Sequence, residues 1–146
     1  MSPSKIWCLA LDPEGREVVS AGRLTPDTGA ASGEEQERLP NLTVTPEGRP
    51  ALAYLARTEG RPEWRLKVAP VGFEPETGTP LVAASDVREL ADDCAACAPA
   101  FSADGRWLFR VARSPRADGA VRRFSVPDAL GPDAPVLADL RRRTAR

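Results

Sequence analysis

The sequence predicts an all-β chain built from short antiparallel strands, and three observations lead to this fold class. A five-residue turn pattern occurs three times, apolar residues alternate with other residues beside the turns, and 15 prolines and 11 glycines punctuate the 146 residues. Alternation with a period of two is typical of a half-buried strand, and Pro and Gly mark the turns between strands. With 42% hydrophobic residues, the chain can bury one core of ordinary size.

The repeated turn reads "DPEGR" at 12–16, "TPEGR" at 45–49 and "SADGR" at 102–106. Its first residue has a short side chain that can accept a hydrogen bond from the backbone two positions on. Its fourth residue is a glycine, which supplies the positive φ that closes a type I turn with a bulge. Each copy is therefore predicted to join the two strands of a β-hairpin. The residues predicted to shape the turns are Asp12, Gly15, Thr45, Gly48, Ser102, Asp104 and Gly105.

Segments with the pattern of strands flank every turn. They read "IWCLAL" and "EVVSAGRL" around the first turn, "NLTV" and "ALAYLAR" around the second, and "PAF" and "WLFRVAR" around the third. In the last segment Trp107, Phe109 and Val111 share one face of a strand. Because these are the largest apolar side chains of the segment, we expect that face to pack between neighbouring units.

The strands group into three units, at about 5–39, 40–90 and 91–140. In the second and third units a third strand ("WRLKVAPV" or "VRRFSV"), a Pro/Gly loop and a short fourth strand ("LVAAS" or "VLADL") follow the hairpin. Each of these units is predicted to be a four-stranded antiparallel meander. The first unit is incomplete, because only "EEQERL" could form its third strand. The segment 85–99 is an insertion that is expected to hold a helical turn.

The third copy, "PAFSADGRWLFRVAR", resembles the core of TolB-type repeats, also called PD40 or WD40-like β-propeller repeats. The copies "LTVTPEGRPALAYLAR" and "LALDPEGREVVSAG" look like weaker versions of the same unit. This resemblance implies a partial β-propeller of about three blades, in which each turn is the hairpin between the first two strands of a blade. Members of the family mostly act as protein-interaction platforms or as the gating domain of prolyl-oligopeptidase-like enzymes.

The resemblance implies a non-catalytic scaffold that binds a protein or peptide. The alternative is an accessory propeller portion of a prolyl-oligopeptidase-like peptidase, or of another hydrolase, whose catalytic domain lies outside this chain. A closed propeller has at least four blades, so three blades leave apolar faces and strand edges open. The chain is then a segment of a longer propeller, a chain that closes a ring with copies of itself or with a partner, or an open stack resembling a small β-sandwich.

The absence of histidine narrows the possible chemistry. It excludes Ser or Cys nucleophiles that rely on an imidazole base and the usual zinc sites with histidine ligands. The acidic residues Asp12, Glu14, Glu47 and Asp104 occupy equivalent turns, where they are expected to be solvated and separated rather than paired for acid–base catalysis. The sequence therefore predicts no enzyme activity, no cofactor and no metal site.

Three arginines form a candidate interaction surface: Arg110, Arg122 and Arg123. Arginines on one sheet face can hold a phosphate backbone or an acidic peptide. The alternative is a solvated face in a chain that uses Arg far more often than Lys. A net charge of −1 and few aromatic residues disfavour nucleic acid, so a protein or peptide is the expected partner.

The three cysteines are Cys8, Cys94 and Cys97, and the last two form a C-A-A-C motif. Its spacing is that of redox dithiols and of half a zinc ribbon. A second pair is missing and Pro99 shortens any following helix, so we expect partly buried loop cysteines. The odd number favours a reducing compartment. Since the chain has neither a long apolar run nor a secretory signal pattern, a cytoplasmic location without membrane association is predicted.

Overall fold

A computed structural model describes residues 4–26, 35–113 and 120–134 of the chain. Most of these residues belong to antiparallel strands, which confirms the all-β prediction. The strands are β1 (Trp7–Leu11), β2 (Val18–Arg23), β3 (Glu35–Val44), β4 (Pro50–Thr58), β5 (Trp64–Pro70), β6 (Gly72–Phe73), β7 (Pro80–Leu81), β8 (Arg88–Cys94), β9 (Ala100–Phe101), β10 (Trp107–Val111) and β11 (Val121–Ser125). One short helix, α1 (Val126–Leu130), follows the last described strand.

Three sheets and one small hairpin account for these strands. The first sheet pairs β1 with β2, the central sheet has the order β3-β4-β5-β8, and the third sheet has the order β11-β10-β9. A two-stranded hairpin of β6 and β7 stands beside them. The central sheet is a four-stranded antiparallel unit. Its strand β3 begins at Glu35 and so crosses the predicted unit boundary between residues 39 and 40.

The fourth strand of the central sheet differs from the prediction. "LVAAS" was expected there, but the strand that pairs with β5 is β8, Arg88–Cys94. Pro80 and Leu81 instead pair with Gly72 and Phe73, because the segment between them closes a tight turn with Gly78 at φ 69°. Because this short β-hairpin holds the start of "LVAAS", the next strand-like segment completes the central sheet.

The inserted segment 85–99 begins with the end of one helical turn, and its longest element is a strand. Ala84–Asp86 forms a single turn of 3-10 helix, and β8 follows it. After β11, helix α1 lies where a Pro/Gly loop was expected, because Ser125 caps its N-terminus by accepting the N–H of Asp128. The predicted fourth strand of the third unit, "VLADL" at 136–140, lies outside the described residues.

Strand β4 is covered on both faces, which makes the molecule three layers thick. Ala51, Ala53 and Leu55 pack against the third sheet and α1, whereas Leu52 and Tyr54 pack toward the first sheet. The side chains that meet β4 from the third sheet and α1 are Leu108, Phe101, Phe124, Val126 and Leu130. Those that meet it from the other side are Ile6, Cys8, Leu24 and Val82.

In the third sheet the core-facing residue is Leu108, which corrects the expectation for Trp107, Phe109 and Val111. Leu108 is fully buried and lies opposite Phe101 and Phe124, whose side chains share its face. That face is the one the central sheet covers. Trp107, Phe109 and Val111 alternate onto the outer face and are half-buried there. The alternation was predicted in the correct phase, but the central sheet covers the face of Leu108 and leaves the face of Trp107, Phe109 and Val111 outside.

Candidate functional site

The three repeated turns have one backbone geometry. Gly15, Gly48 and Gly105 have φ values of 70°, 80° and 72°. In each turn the glycine N–H donates to the carbonyl of the turn's first residue, at 2.9, 2.8 and 2.9 Å respectively. Positive φ at these positions is the reason for a glycine in all three copies.

The first residue of each turn also binds the backbone with its side chain. Asp12 accepts from the N–H groups of Arg16 and Glu17 at 2.6 and 3.1 Å, and Thr45 accepts from Arg49 at 3.1 Å. These side chains satisfy backbone donors that the tight turn leaves unpaired. Their oxygens are thereby committed to the fold.

In the third turn two side chains, Ser102 and Asp104, accept hydrogen bonds from the backbone. The Ser102 hydroxyl accepts from the N–H of Trp107 at 3.0 Å and donates to Asp104 at 2.7 Å. Asp104 also accepts from the N–H of Arg106 at 3.1 Å. The hydrogen bond from Ser102, together with that from Arg106, lowers the pKa of the Asp104 carboxyl. Such a carboxylate is an acceptor that holds the turn rather than a proton donor at neutral pH.

The third turn packs against the neighbouring unit, whereas the first turn is open. A Cβ atom on Gly105 would lie 2.4 Å from the carbonyl oxygen of Val44 and 3.1 Å from Oγ1 of Thr43. The same atom on Gly15 would have no neighbour within 4 Å. Gly105 therefore serves both the turn and the contact between the central and third sheets.

The three candidate arginines do not form one surface. Arg110 lies directly opposite Arg122, so these two share a sheet face, while Arg123 lies opposite Phe109 on the other face. The Arg110 side chain is only 11% exposed and forms an ion pair with Asp93 at 2.6 Å. The Arg123 guanidinium stacks on the Trp107 ring, 4.3 Å from its centroid. Arg110 is thus engaged in the fold, and Arg122 and Arg123 are exposed on opposite sides.

We expect Arg110 and Arg122 to differ sharply in their effect on stability. Arg110→Ala should lower the free energy of unfolding by about 1 to 2 kcal/mol, because it removes a charged hydrogen bond whose other partner, Asp93, stays partly hydrated. Arg122→Ala should change it by less than about 0.5 kcal/mol, as surface substitutions usually do. Urea titration of both variants measures the difference, and equal effects would contradict the structural role of Arg110.

A buried polar cluster joins β3 to β5, and the sequence analysis did not identify it. Glu35 and Glu37 are 5% and 3% exposed. Both Glu35 oxygens lie 2.9 Å from the Lys67 ammonium, and Arg65 also donates to Glu35. Burial raises the pKa of Glu35, but the hydrogen bond and charge of Lys67, with those of Arg65, outweigh it and hold the pKa below 4.5.

Glu37 continues this cluster toward the first sheet. It accepts from the N–H of Ile6 at 3.3 Å and from the Thr25 hydroxyl, and its other oxygen lies 3.6 Å from Lys5 Nζ. Burial, together with the charges of Glu37 and Glu35, raises the pKa of the Tyr54 phenol. Since the carboxylates already have partners, the cluster fastens the sheets together and presents no free general base.

Two signals in the sequence could have revealed the cluster. Glu35 and Glu37 stand two residues apart, as do Arg65 and Lys67, so each pair lies on one face of its strand. Two acidic and two basic residues with matching spacing predict paired strands with complementary faces. The interpretation of "EEQERL" as a weak third strand of the first unit obscured this match.

An apolar groove of about 360 Å³ opens between the first and central sheets. Leu42 and Val44 of β3 lie on its wall and are 57% and 47% exposed. Because β3 is at the edge of the described central sheet, one side of its backbone faces away from β4. The lining residues are Cys8, Leu24, Leu42, Thr43, Val44, Pro50, Val71, Phe73 and Pro80.

The C-A-A-C motif is divided between two environments. Cys94 ends β8 and is buried, whereas Cys97 is exposed. Burial raises the pKa of the Cys94 thiol, and the nearby Arg110 opposes this effect. A raised pKa disfavours the thiolate that redox chemistry requires. Among the described residues, no group of three or more Cys, Asp or Glu side chains is placed to hold a metal ion.

The chain matches no family model, no curated protein and no solved structure in the three comparisons made. The resemblance to TolB-type repeats accordingly rests on the turn motif and its flanking strands. Within the described ranges, no helix is both long and apolar enough to cross a bilayer.

Proposed function

We propose that the chain is a non-catalytic scaffold, a partial TolB-like propeller that binds an extended apolar peptide segment of a partner protein. The observation that carries the proposal is the groove beside β3. It has the volume of a ligand site, an almost wholly apolar lining, and two side chains, Leu42 and Val44, that remain largely exposed at its wall.

The shape of the groove favours a peptide over a compact ligand. Leu42 and Thr43 lie on the edge strand β3 before the third turn meets the Val44 carbonyl, so an incoming strand could pair with the backbone there while its alternate side chains enter the groove. This is the β-augmentation mode of peptide recognition. The resemblance to a family of protein-interaction platforms agrees with this mode.

The proposal is tested with dye-labelled octapeptides that alternate Val or Leu with Ser or Lys. We expect fluorescence anisotropy to show saturable binding to the chain and about a tenfold weaker affinity for Leu42→Asp, because a carboxylate would be desolvated in the groove. Peptides with Pro at alternate positions should not bind, since they lack the backbone donors for strand pairing.

The matched control is Leu9→Asp, in which an equally exposed leucine outside the groove is changed in the same way. This variant should keep the affinity of the unmodified chain. Peptides that bind Leu42→Asp as well as the unmodified chain, or no saturable binding by any alternating peptide, would overturn the proposal.

A further inference from the structure

The outer face of the first sheet is a patch of exposed apolar side chains. Trp7, Leu9 and Leu11 alternate along β1 away from the central sheet, with exposures of 67%, 62% and 53%. Val18 lies opposite Leu11, and Val18 and Val19 are 56% and 64% exposed. Contiguous exposed apolar patches of this kind on a monomer are often functional.

The outer face of the third sheet is also apolar. It carries Trp107, Phe109 and Val111 from β10, and Val121 lies opposite Val111. Val121 is 65% exposed, while the three residues of β10 are half-buried. Arg123, opposite Phe109, covers part of Trp107 with its guanidinium. Both ends of the stack therefore present apolar sheet faces.

These two faces are equivalents of faces that already meet inside the chain. The residue just before each turn is Leu11, Val44 or Phe101. Val44 lines the groove toward the first sheet, and Phe101 packs into the core shared with the central sheet, so both point back to the preceding sheet. Leu11 occupies the same position on the first sheet, where the described chain has no preceding sheet to cover it.

The other face of each sheet points forward, toward the sheet that follows it along the chain. Cys8 of the first sheet packs toward β4, and Asn41 of the central sheet donates to the Pro99 carbonyl at 3.1 Å. The corresponding face of the third sheet, with Phe109 and Val111, has no following sheet in the described chain. Each internal interface thus joins a forward face to a backward face, and one of each remains open.

We infer that a second copy of this chain covers both open faces, so that two chains bind head to tail and close a ring. The inference rests on the proposed function, because it treats the three sheets as blades of one scaffold. Two chains contribute six sheets, a number within the range of closed propellers. An interface that repeats the internal packing also removes the exposed apolar face of the first sheet from water.

The charges at the turns are compatible with this arrangement. Gly105 lies against the end of β3, so the turns of adjacent sheets stand side by side. In the head-to-tail pair the first turn of one chain therefore lies beside the third turn of the other. The first turn carries Asp12, Glu14 and Glu17 against Arg16, whereas in the third turn Arg106 pairs with Asp104 at 3.7 Å, so no excess of like charge opposes the contact between the two faces.

Sedimentation equilibrium tests the inference on the unmodified chain and on two single variants. The unmodified chain should have twice the mass of the 15.7 kDa chain. Leu9→Asp places a carboxylate on the open face of the first sheet, and Val121→Asp places one on the open face of the third sheet. Each variant alone should therefore show half the mass of the unmodified assembly. An equimolar mixture of the two should recover a dimer, because each variant keeps the face that the other lacks.

The mixture distinguishes a head-to-tail pair from a pair in which one face binds the same face of the other chain, where one of the two variants would still dimerise alone. That result, a monomeric unmodified chain, or assemblies larger than a dimer would overturn the inference. Circular dichroism checks that both variants keep their strands. Leu42→Asp should remain dimeric while binding the peptide about tenfold more weakly, so the failure of the assembly and the failure of the proposed function are separable.

Discussion

Gly105→Val should abolish cooperative folding, whereas Gly15→Val should leave a folded protein. Both residues sit at positive φ, where a side chain costs about 1 to 3 kcal/mol and a β-branched one is least tolerated. At Gly105 a Cβ would also lie 2.4 Å from the Val44 carbonyl oxygen, a backbone atom that cannot move without shifting β3. We expect a total loss of about 4 kcal/mol or more, comparable to the whole stability of a small domain.

Thermal unfolding followed by circular dichroism measures this difference. Gly15→Val has the same φ cost without the clash, so it should lower the midpoint by several degrees only. Gly105→Ala should fall between the two valine variants, because it carries the clash without the β-branch. Equal midpoints for Gly105→Val and Gly15→Val would show that the third turn does not pack against β3.

Glu35→Gln should destabilise the chain by about 3 kcal/mol at neutral pH, because it leaves Lys67 and Arg65 close together in a largely buried site without their counter-charge. The matched control is Glu89→Gln. Glu89 also pairs with Arg65, at 3.5 Å, but its side chain is 45% exposed. The control should cost less than about 1 kcal/mol. Urea titration of both variants at pH 7 makes the comparison, and equal losses would contradict the central role of Glu35.

The same carboxylate should make stability depend on pH. The pKa of Glu35 is lower in the folded chain than its ordinary 4.5, so the folded state binds its proton less readily than the unfolded state. Its contribution is therefore complete above pH 4.5 and is lost as the pH falls through the lower, folded value. The stability difference between the unmodified chain and Glu35→Gln should shrink below pH 4.5. A constant difference down to pH 2 would rule out this origin.

The hairpins could be predicted from the sequence because local chemistry determines them. Asp12, Thr45 and Ser102 together with the three glycines specify a turn that needs no information from distant residues. The fourth strand of the central sheet depends instead on competition between two segments for the edge of β5. "LVAAS" has the stronger strand pattern, but the turn at Gly78 removes it into a local hairpin. The alternation of apolar residues in the sequence does not show which of the two segments pairs with β5.

The candidate site also combines features that the local sequence predicts with features that depend on tertiary packing. Arg110 and Arg122 share a sheet face, as a common binding surface would require, yet the sequence did not indicate that Asp93 would pair with Arg110. The apolar groove was not predicted at all, because Leu42 and Pro80 meet only after two sheets and a small hairpin have packed together. Residues separated in this way are joined by tertiary packing, and a single sequence does not disclose it.

The burial of β4 on both faces implies that stability is graded outward through the molecule. Amide hydrogens in Ala51–Ala56 are released to solvent only when the layers on both sides come away, so their exchange reports global unfolding. Those of β1 and β2, next to an exposed face, exchange through local opening that leaves the central sheet intact. The strand at the centre of the stack is thus the one on which every other element depends, and within one chain the two outer sheets open at a lower cost than the central sheet.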